Sequence, residues 1–348
     1  MTTAECRACR ATNLEMVFAM DPMPLAGGFT ATAEQAVNAD RWPLMWLYCP
    51  TCGLVNVEPD VPDHLIYGTY SYAASSVPAL VRHHSDFAAF LAPRYDRGTR
   101  FVEIGSNDGV LLSRLPADWR LMGVDPSDVA RQSPGPWDLI NEPFTSQLAA
   151  ELPTADVVSS SNSFAHFTGI ADALDGVARL LRPGGDFWLE VHDLDATLRS
   201  GQWDTIYHEH KVEWSASSLQ SAICPLGFDL VGLVRLPLHG GLIQAHFRRR
   251  HELPERRKRP ARREFHVLRS AYRDRRPPKL APASAAYGAA ARGTVYLNQM
   301  PGLPVAFVVD GSPLRAGRFV PGLGIPIVTP EEFERLDPDT TLITAWNH

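Results

Sequence analysis

The chain has 348 residues, of which 45% are hydrophobic, and a formal net charge of −6. This length suits two or three domains, and the composition is that of a soluble globular protein with ample core. No apolar run approaches the roughly 18 residues of a membrane span, and the N-terminus lacks a signal-peptide pattern, so we expect a cytoplasmic protein without a membrane partner.

Four of the five cysteines form two C-x-x-C pairs, Cys6 with Cys9 and Cys49 with Cys52. Four thiolates at about 2.3 Å complete the tetrahedral shell of zinc and leave no open position. We therefore predict a structural Zn²⁺ site. The alternatives are four unrelated core residues or a single redox pair. Cys224 stands alone and is expected to be a buried apolar filler.

Beyond this N-terminal part, short apolar strands alternate with helices. A helix is predicted from about Val77, and strands are predicted at residues 101–104, in "WRLMGVD", in "ADVVSSS" and after "LLRPGG". This alternation predicts a parallel, doubly wound α/β sheet. After Pro237, "HGGLIQAHFRRR" and the basic stretch that follows predict connecting helices. A second, smaller Rossmann-like unit is predicted from about Ala285.

The stretch "EIGSNDG" follows a strand, is expected to open a helix, and has the shape of an S-adenosylmethionine (SAM) loop. Asp125 ends the next strand, where a carboxylate accepts hydrogen bonds from a ribose diol. A dinucleotide would require a second glycine where Asn107 stands, so NAD fits poorly. The alternative is a Rossmann-type domain without a cofactor. The predicted SAM-binding residues are Glu103, Gly105, Ser106, Asn107, Gly109, Asp125, Pro126 and Asn162.

The stretch "WDTIYHEHKVEW", residues 203–214, concentrates acid–base side chains. A zinc-protease helix would carry its second histidine four places after His208, where Val212 stands instead. Acid–base chemistry or a polar loop without a role remain. His166 and Asn162 follow the third strand of the domain, at the sheet edge where ligands bind.

Ordered motifs over nearly the full length carry a family resemblance. They are the two cysteine pairs, "YSYAASS", "EIGSNDGVLL", "GVDPS", "SSNSFAHF", "YHEH", "YGAAARG", "VVDGSPLRAGRFVPG" and "AWN". The chain resembles the sugar C-methyltransferases that install methyl branches on nucleotide-linked keto-deoxysugars for antibiotic glycosides. The resemblance implies a zinc-binding module (1–65), a class I SAM-dependent methyltransferase domain (66–236), a basic helical connector (237–284) and a C-terminal Rossmann-like α/β domain (285–348).

The resemblance also implies a mechanism. A base removes a proton beside the ketone of a 4-keto sugar, expected to be dTDP-linked, and the enolate takes the methyl group of SAM. By matching motif positions, His210 is the general base, Glu209 its orienter or proton relay, and Tyr207 a donor to the substrate. Tyr70 and Tyr72 are carried over as hydroxyls near the keto sugar, and His166 is a further catalytic candidate. A monomer is expected.

The chain departs from the family pattern at three places. Family members usually read Gly-Gly-Ser-x-Arg where Leu242 and Gln244 replace the serine and arginine. The usually apolar and aromatic segment after the base reads Lys-Val-Glu-Trp at residues 211–214, and Arg292 stands where a lysine is common. Loss of the arginine charge bears on substrate choice, because glutamine is neutral.

Two alternatives stay open. The same fold could methylate a different carbon acid or use its base for epimerisation. The second alternative is nucleic-acid binding or modification. It is suggested by the zinc knuckles and by a basic stretch at 248–276, which holds thirteen Arg or Lys and four Asp or Glu. That stretch has only two aromatic residues and the overall pI is about 6.1, so we expect a solvated connector and no nucleic-acid partner.

Overall fold

The computed structural model describes residues 4–67, 73–251 and 263–345. Within these ranges the chain forms three sheets, of which one has seven strands and two have four. The predicted α/β fold with an N-terminal cysteine module and a C-terminal α/β part is confirmed. Tyr70, Tyr72 and residues 252–262 of the basic stretch lie outside the described residues.

The N-terminal module is an antiparallel sheet. Its elements are β1 (Glu15–Met23), α1 (Ala33–Val37), β2 (Trp42–Tyr48), β3 (Val55–Glu58), α2 (Asp63–Tyr67) and, from much later in the chain, β9 (Val212–Glu213). The strand order is β1-β2-β3-β9. Because β9 directly follows the "YHEH" motif, the pairing of Val55 with Glu213 holds that motif against the module.

The central domain carries the seven-stranded sheet. Its elements are α3 (Pro78–Leu91), β4 (Arg100–Ile104), β5 (Arg120–Val124), α4 (Asp128–Arg131), β6 (Asp138–Ile140), α5 (Ser146–Glu151), β7 (Ala155–Ser161), α6 (Ile170–Leu180), β8 (Leu181–His192), α7 (Leu194–Ser200), α8 (Ala216–Ile223), β10 (Phe228–Leu236) and β11 (Leu242–Arg249). The order is β10-β11-β8-β7-β4-β5-β6. Strand β11 is antiparallel to both β10 and β8, and the other neighbouring strands pair in parallel. Strands such as β4 and β7 are nearly continuous buried runs, as expected when helices cover both faces of a parallel sheet.

Two local predictions are wrong. The helix expected after the cofactor loop is a single 3-10 turn, Leu112–Arg114, because Pro116 follows at once and cannot continue a helix. The helical interpretation of residues 237–249 fails because Leu242–Arg249 alternates buried and less buried side chains with the period of a strand, and pairs with both β8 and β10. The other 3-10 turns are Ala74–Ser76, Ala92–Arg94, Trp203–Thr205, Cys224–Leu226 and Leu238–Gly240.

The C-terminal part is a small parallel sheet with the order β14-β13-β12-β15. After α9 (His266–Arg273), its elements are β12 (Ser284–Tyr287), α10 (Ala291–Gln299), β13 (Val305–Val309), β14 (Ile327–Val328), α11 (Pro330–Leu336) and β15 (Thr341–Ile343). The second α/β unit predicted from about Ala285 is therefore present.

The three parts meet at the start of the "YHEH" loop. Trp203 of the central domain stacks on Tyr296 of α10, with ring centroids 5.4 Å apart. Arg275 and Gln299 bind Asp21 of β1 through its side chain and its carbonyl. Among the helices of the described residues, none has both the length and the apolar character needed to cross a membrane.

Candidate active site and metal centre

The four N-terminal cysteines meet in one cluster. Their Sγ atoms all lie within 4.8 Å of one another, and the Sγ–Sγ distance is 3.5 Å for both Cys6–Cys52 and Cys9–Cys49. Zn–S bonds of about 2.3 Å place the sulfur atoms of a tetrahedron about 3.8 Å apart, so the cluster fits the ion. Three of the four cysteines are buried, and all four shell positions are thiols, as in a structural zinc site.

Two matching turns present these thiols. The carbonyls of Cys6 and Cys49 each accept a 2.8 Å hydrogen bond from the amide four residues later, those of Arg10 and Gly53. Each of the two cysteines also donates its amide to the carbonyl five residues later. The equivalence of the turns explains why both C-x-x-C pairs point at one centre.

The predicted cofactor loop leaves the carboxyl end of β4. Gly105 has a φ of +76°, and a Cβ there would overlap the side chain of Ser163, so only glycine fits. Gly109 lies against the ring of Trp137, and Ser106 packs on Gly123 of β5. These close approaches hold the loop at the sheet edge where α/β proteins bind ligands.

Asp125, at the end of β5, joins the cofactor loop to the turn that follows β5. Its Oδ2 accepts a hydrogen bond from the amide of Asn107 and its Oδ1 accepts one from the amide of Ser127, each at 2.8 Å. Carboxylate oxygens have two acceptor sites each, so both keep the capacity to accept a ribose hydroxyl. Pro126 is exposed between the two turns.

Glu103 supplies an unsatisfied polar group beneath the loop. It is buried, and burial followed by the charges of Asp125 and Asp108 raises its pKa well above the ordinary value. Its Oε2 and the Oγ of Ser106 have no hydrogen-bond partner within the described part of the chain. Buried polar atoms of this kind call for a partner, so the residues present fit a polar cofactor such as SAM.

Asn107 and Asp108 also hold the chain that precedes α3. The side-chain Oδ1 of Asn107 accepts a 2.9 Å hydrogen bond from the amide of Ala74, and Oδ2 of Asp108 accepts one of 3.0 Å from Ser75. The segment that follows the predicted Tyr-x-Tyr site is therefore fastened to the cofactor loop.

Asn162 follows β7 and lies against Glu190 of β8. Its backbone and side-chain nitrogens donate to the carbonyl and Oε1 of Glu190, at 2.9 and 3.0 Å. The other oxygen of Glu190 is 2.6 Å from Nε2 of His83 and 3.4 Å from Nε2 of Gln244. Gln244, which stands where family members usually have arginine, thus lies beside the buried carboxylate of Glu190. In this chain the carboxylate is paired with His83. A cofactor contact for Asn162 stays a prediction.

The structure brings together three of the predicted catalytic residues. The hydroxyl of Tyr207 is 2.9 Å from Nε2 of His210, and the ring of His166 packs edge-on to His210 with centroids 5.0 Å apart. Nδ1 of His166 donates to the carbonyl of Glu209 at 2.8 Å. Burial, aided by His210, lowers the pKa of His166 to about 3, so this imidazole is neutral at physiological pH.

Glu209 reaches away from the sheet toward the N-terminal module. Its Oε1 accepts a 2.7 Å hydrogen bond from the amide of Gly27. His208 is buried and donates from Nε2 to the carbonyl of Pro43 at 2.9 Å. Both contacts fasten the motif to the module, and the relay role of Glu209 stays a prediction.

Sequence reasoning missed Glu213 and His192. Glu213 is 1% exposed, and its Oε1 and Oε2 are each 3.6 Å from an Nδ1 atom, that of His210 and that of His192. Burial alone would raise the pKa of Glu213, but the two facing imidazoles outweigh it and lower the pKa to about 2. The sequence feature that could have indicated Glu213 is a carboxylate between the apolar residues Val212 and Trp214.

Arg292 brings a positive charge from the C-terminal part. It is 8% exposed, and its Nη2 donates to Oε1 of Gln202 at 2.6 Å. Burial lowers its pKa, while Asp204, Tyr207 and Glu213 lie near enough to oppose that effect. The position where the family often has lysine therefore faces the catalytic loop.

A second loop in the C-terminal part repeats the hydrogen bonds of the cofactor loop. Gly288 follows β12 at a φ of +102°, and its amide donates to Val309 at 2.8 Å, as that of Gly105 does to Val124. Oδ2 of Asp310 accepts from the amide of Ala289 and Oδ1 from that of Ser312, each at 2.9 Å. The pattern matches that of Asp125.

The described arginines of the basic stretch are largely engaged within the protein. Ion pairs join Arg248 to Asp186, Arg250 to Asp229, Arg263 to Asp195, Arg273 to Asp274 and Arg275 to Asp21. Charges neutralised in this way contribute little to a phosphate-binding surface.

Family models match three consecutive parts of the chain: a zinc binding domain at residues 6–67, a methyltransferase domain at 78–233 and a C-methyltransferase C-terminal domain at 281–348. With the sheet order and the cysteine cluster, they define a class I SAM-dependent methyltransferase with an N-terminal zinc-binding domain. The C-methyltransferase NovU of Streptomyces niveus is 30% identical over an alignment of 381 positions, gaps included. The alignment covers 99% of this chain and 90% of NovU. The chain belongs to this C-methyltransferase family.

Solved structures of other methyltransferases are similar over about half of the chain. The N-methyltransferase NodS of Bradyrhizobium japonicum is 17% identical with a TM-score of 0.38, covering 49% of this chain and 96% of NodS. Magnesium protoporphyrin IX methyltransferase of Synechocystis is 14% identical with a TM-score of 0.38, covering 49% of this chain and 79% of that enzyme.

Proposed function

We propose that the protein methylates the carbon beside the ketone of a nucleotide-linked 4-keto-deoxysugar, with dTDP as the expected carrier, in the biosynthesis of an antibiotic or another natural product. It acts as a cytoplasmic monomer. The observation that carries the proposal is the partly buried pairing of His210 with Tyr207, in a chain that belongs to the C-methyltransferase family.

The first step is proton removal. A ketone makes the hydrogen on the neighbouring carbon acidic, and Nε2 of His210 takes this proton while the C–H electron pair forms the enolate. The hydroxyl of Tyr207, 2.9 Å from Nε2, is placed to turn its proton toward the enolate oxygen, where negative charge develops. His166 is neutral, with its Nδ1–H bound to the carbonyl of Glu209, and its ring packs beside the base.

The cofactor supplies the methyl group. When bound, SAM would supply an electrophilic methyl group for the enolate carbon, and its sulfur would keep the C–S electron pair. Gly105 and Gly109 would admit the cofactor backbone, Asp125 would accept the ribose hydroxyls, and Glu103 would meet its polar groups. The proton stays on His210 until solvent removes it.

The C-terminal loop supports a nucleotide carrier. Gly288, Asp310 and Ser312 reproduce the backbone arrangement that surrounds Asp125, and the nine-residue helix α10 begins just after the glycine. A helix N-terminus next to a glycine turn favours phosphate groups. This loop and the catalytic loop are joined through Arg292 and Gln202, so a sugar held by its nucleotide would have its ring directed toward His210.

The test is methyl transfer from labelled SAM to a panel of dTDP-keto sugars, read by mass spectrometry for a gain of about 14 Da, the mass of one CH₂ unit. Product is expected from the wild type and not from His210→Ala. With S-adenosylhomocysteine in D₂O, the wild type should also exchange deuterium into the carbon beside the ketone. Methylation of an unrelated carbon acid, or inversion of a sugar centre without methyl transfer, would overturn the proposal in favour of the two alternative enzyme activities.

A further inference from the structure

The carboxylate of Glu213 lies between two imidazoles in the interior of the protein. Each of its oxygens is 3.6 Å from an Nδ1 atom, on His210 for Oε1 and on His192 for Oε2. Within the described residues, neither oxygen has a hydrogen-bond partner at shorter range. An ionised carboxylate that is 1% exposed is costly unless positive charge compensates it, and the two imidazoles are the titratable groups that face its oxygens directly.

His192 is the histidine whose surroundings require two N–H groups. Its Nε2 is 3.3 Å from the carbonyl oxygen of His239, and its Nδ1 faces the Glu213 carboxylate. Both oxygens only accept hydrogen bonds, whereas a neutral imidazole has one N–H and one lone pair. Either neutral tautomer would point a lone pair at an acceptor, so the protonated ring is the form that suits this position.

His210 has the opposite requirement. Its Nδ1 faces the same carboxylate, while its Nε2 faces the hydroxyl of Tyr207, which can donate. The neutral tautomer with the proton on Nδ1 satisfies both contacts, and its Nε2 lone pair becomes available for the incoming proton when the Tyr207 hydroxyl turns toward the enolate oxygen. A base needs this tautomer to act from Nε2, and a carboxylate at Nδ1 both selects it and stabilises the imidazolium that forms.

We propose that Glu213 and protonated His192 form a buried ion pair that positions His210 as the base, with Glu213 selecting its Nδ1–H tautomer. The role in catalysis rests on the proposed function, but the protonation pattern does not. The titratable or charged groups around Glu213 come from four parts of the fold. They are His192 on β8, Tyr207 and His210 in the catalytic loop, His166 after β7 and Arg292 on α10.

The pair also bears on residues 211–214, where family members usually have apolar and aromatic residues and this chain has Glu213. Because His192 neutralises that carboxylate, His210 can still act as the base. If His192 were neutral, no charged group in the part of the chain that the structure describes would face Oε2 of Glu213, and the carboxylate would attract a proton to His210 before substrate arrives. With His192 charged, the ion pair is neutral overall and His210 stays neutral in the resting enzyme. Proton arrival from the substrate then adds one positive charge next to a carboxylate.

The decisive experiment needs no substrate. In the zinc-loaded full-length protein with ¹⁵N-labelled histidine, two-bond nitrogen–proton correlation spectra distinguish protonated from unprotonated ring nitrogens. His192→Gln and His210→Gln variants assign the two rings. At pH 7.5 we expect both nitrogens of His192 to be protonated and His210 to carry its proton on Nδ1. A neutral His192, or His210 with its proton on Nε2, would overturn the proposal whatever the substrate is.

A matched pair of variants tests the link to turnover. In Glu213→Gln, kcat should fall by about 10²–10⁴ with KM nearly unchanged, because the amide no longer selects the tautomer. The ascending limb of the pH–rate profile should move to lower pH, and Glu213→Asp should recover part of kcat. Glu264→Gln makes the same chemical change at an exposed residue and should leave all three readouts at wild-type values. A Glu213→Gln enzyme with wild-type kcat and pH profile would refute the positioning role.

If the wild type transfers no methyl group and exchanges no deuterium with any keto sugar, the proposed function fails while the spectra still decide the protonation pattern. If the wild type is active and the spectra show a neutral His192, the inference fails while the proposed function stands. The two results are therefore separable.

Discussion

Two glycine turns in this molecule have the same hydrogen-bond skeleton and different surroundings. In both, a glycine at positive φ donates its amide to the strand next to it, and the aspartate that ends that strand accepts two backbone amides. After Gly105 the chain makes only a 3-10 turn, whereas after Gly288 it enters the nine-residue helix α10. Asp310, unlike Asp125, has an arginine ion pair, with Arg315 at 3.1 Å.

The difference bears on the two ligands that we propose for these turns, SAM at Gly105 and a nucleotide at Gly288. A helix N-terminus offers amide donors and a positive dipole end, which favour phosphate. SAM has no phosphate, so the loop at Gly105 loses nothing by lacking a helix. The same skeleton with α10 attached is what a nucleoside diphosphate would require. Each prediction below perturbs one side of this comparison, or the region between the two loops.

Removing zinc is expected to have the largest effect. Structural zinc contributes apparent binding energies of about 10–16 kcal/mol in small zinc domains, so a Cys49→Ser variant or chelation should unfold the N-terminal module. Because β9 belongs to that module's sheet, the catalytic loop should lose its support and turnover should vanish. Both glycine turns lie in other sheets, so calorimetric SAM binding should persist. A zinc-free preparation with a wild-type circular dichroism melt would contradict the assignment of the cysteines.

Replacing the base separates chemistry from binding at the two loops. His210→Ala should lower kcat by about 10²–10⁴, since a general base acts on the way to the transition state. The dissociation constants of SAM and of dTDP should stay within about twofold of the wild type, because neither loop contains His210. Turnover and calorimetry measure the two quantities. If the variant still exchanges substrate deuterium at the wild-type rate, the base is another residue, and His166 is the next candidate.

Exchanging the aspartates tests the comparison directly. Asp125→Ala should weaken SAM binding by at least tenfold, because charge-assisted hydrogen bonds to ribose contribute about 1.5–3 kcal/mol each. Asp310→Ala should leave SAM affinity unchanged and weaken dTDP binding, and Asp125→Ala should spare dTDP. Each variant is the control for the other in calorimetry. Equal effects of both substitutions on SAM would mean that the two loops do not bind separate ligands.

The parts of the site that local sequence could predict are those built from neighbouring residues. The two cysteine turns follow from the spacing inside each C-x-x-C pair, and the glycine loop and Asp125 follow the consecutive strands β4 and β5. Tyr207 and His210 are three apart in one loop, and the structure brings them into contact.

The parts that were missed depend on long-range packing. Glu213 becomes a partner of His192 because the chain at Trp214 bridges to Asp193 just after the end of β8, and no local pattern encodes that contact. Arg292 reaches the catalytic loop from a different domain. The strand at Leu242–Arg249 was mistaken for a helix because its basic end continues into a charged stretch, which hid the period-two pattern.

The smallest expected effect concerns the ion pair between Arg315 and Asp310, which distinguishes the two glycine turns. Arg315 has 25% of its side chain exposed and pairs with the buried Asp310, so the ion pair contributes about 0.2–1 kcal/mol. If Asp310 accepts a ribose hydroxyl as Asp125 is expected to, the arginine competes for the same Oδ1 atom. Arg315→Ala should then tighten dTDP binding by up to about fivefold, without a change in SAM affinity. Arg335→Ala, at an exposed arginine of α11 in the same domain, should change neither. Weaker dTDP binding in Arg315→Ala would show instead that the arginine itself contacts the nucleotide. The two loops would then share a backbone but recognise their ligands through different side chains.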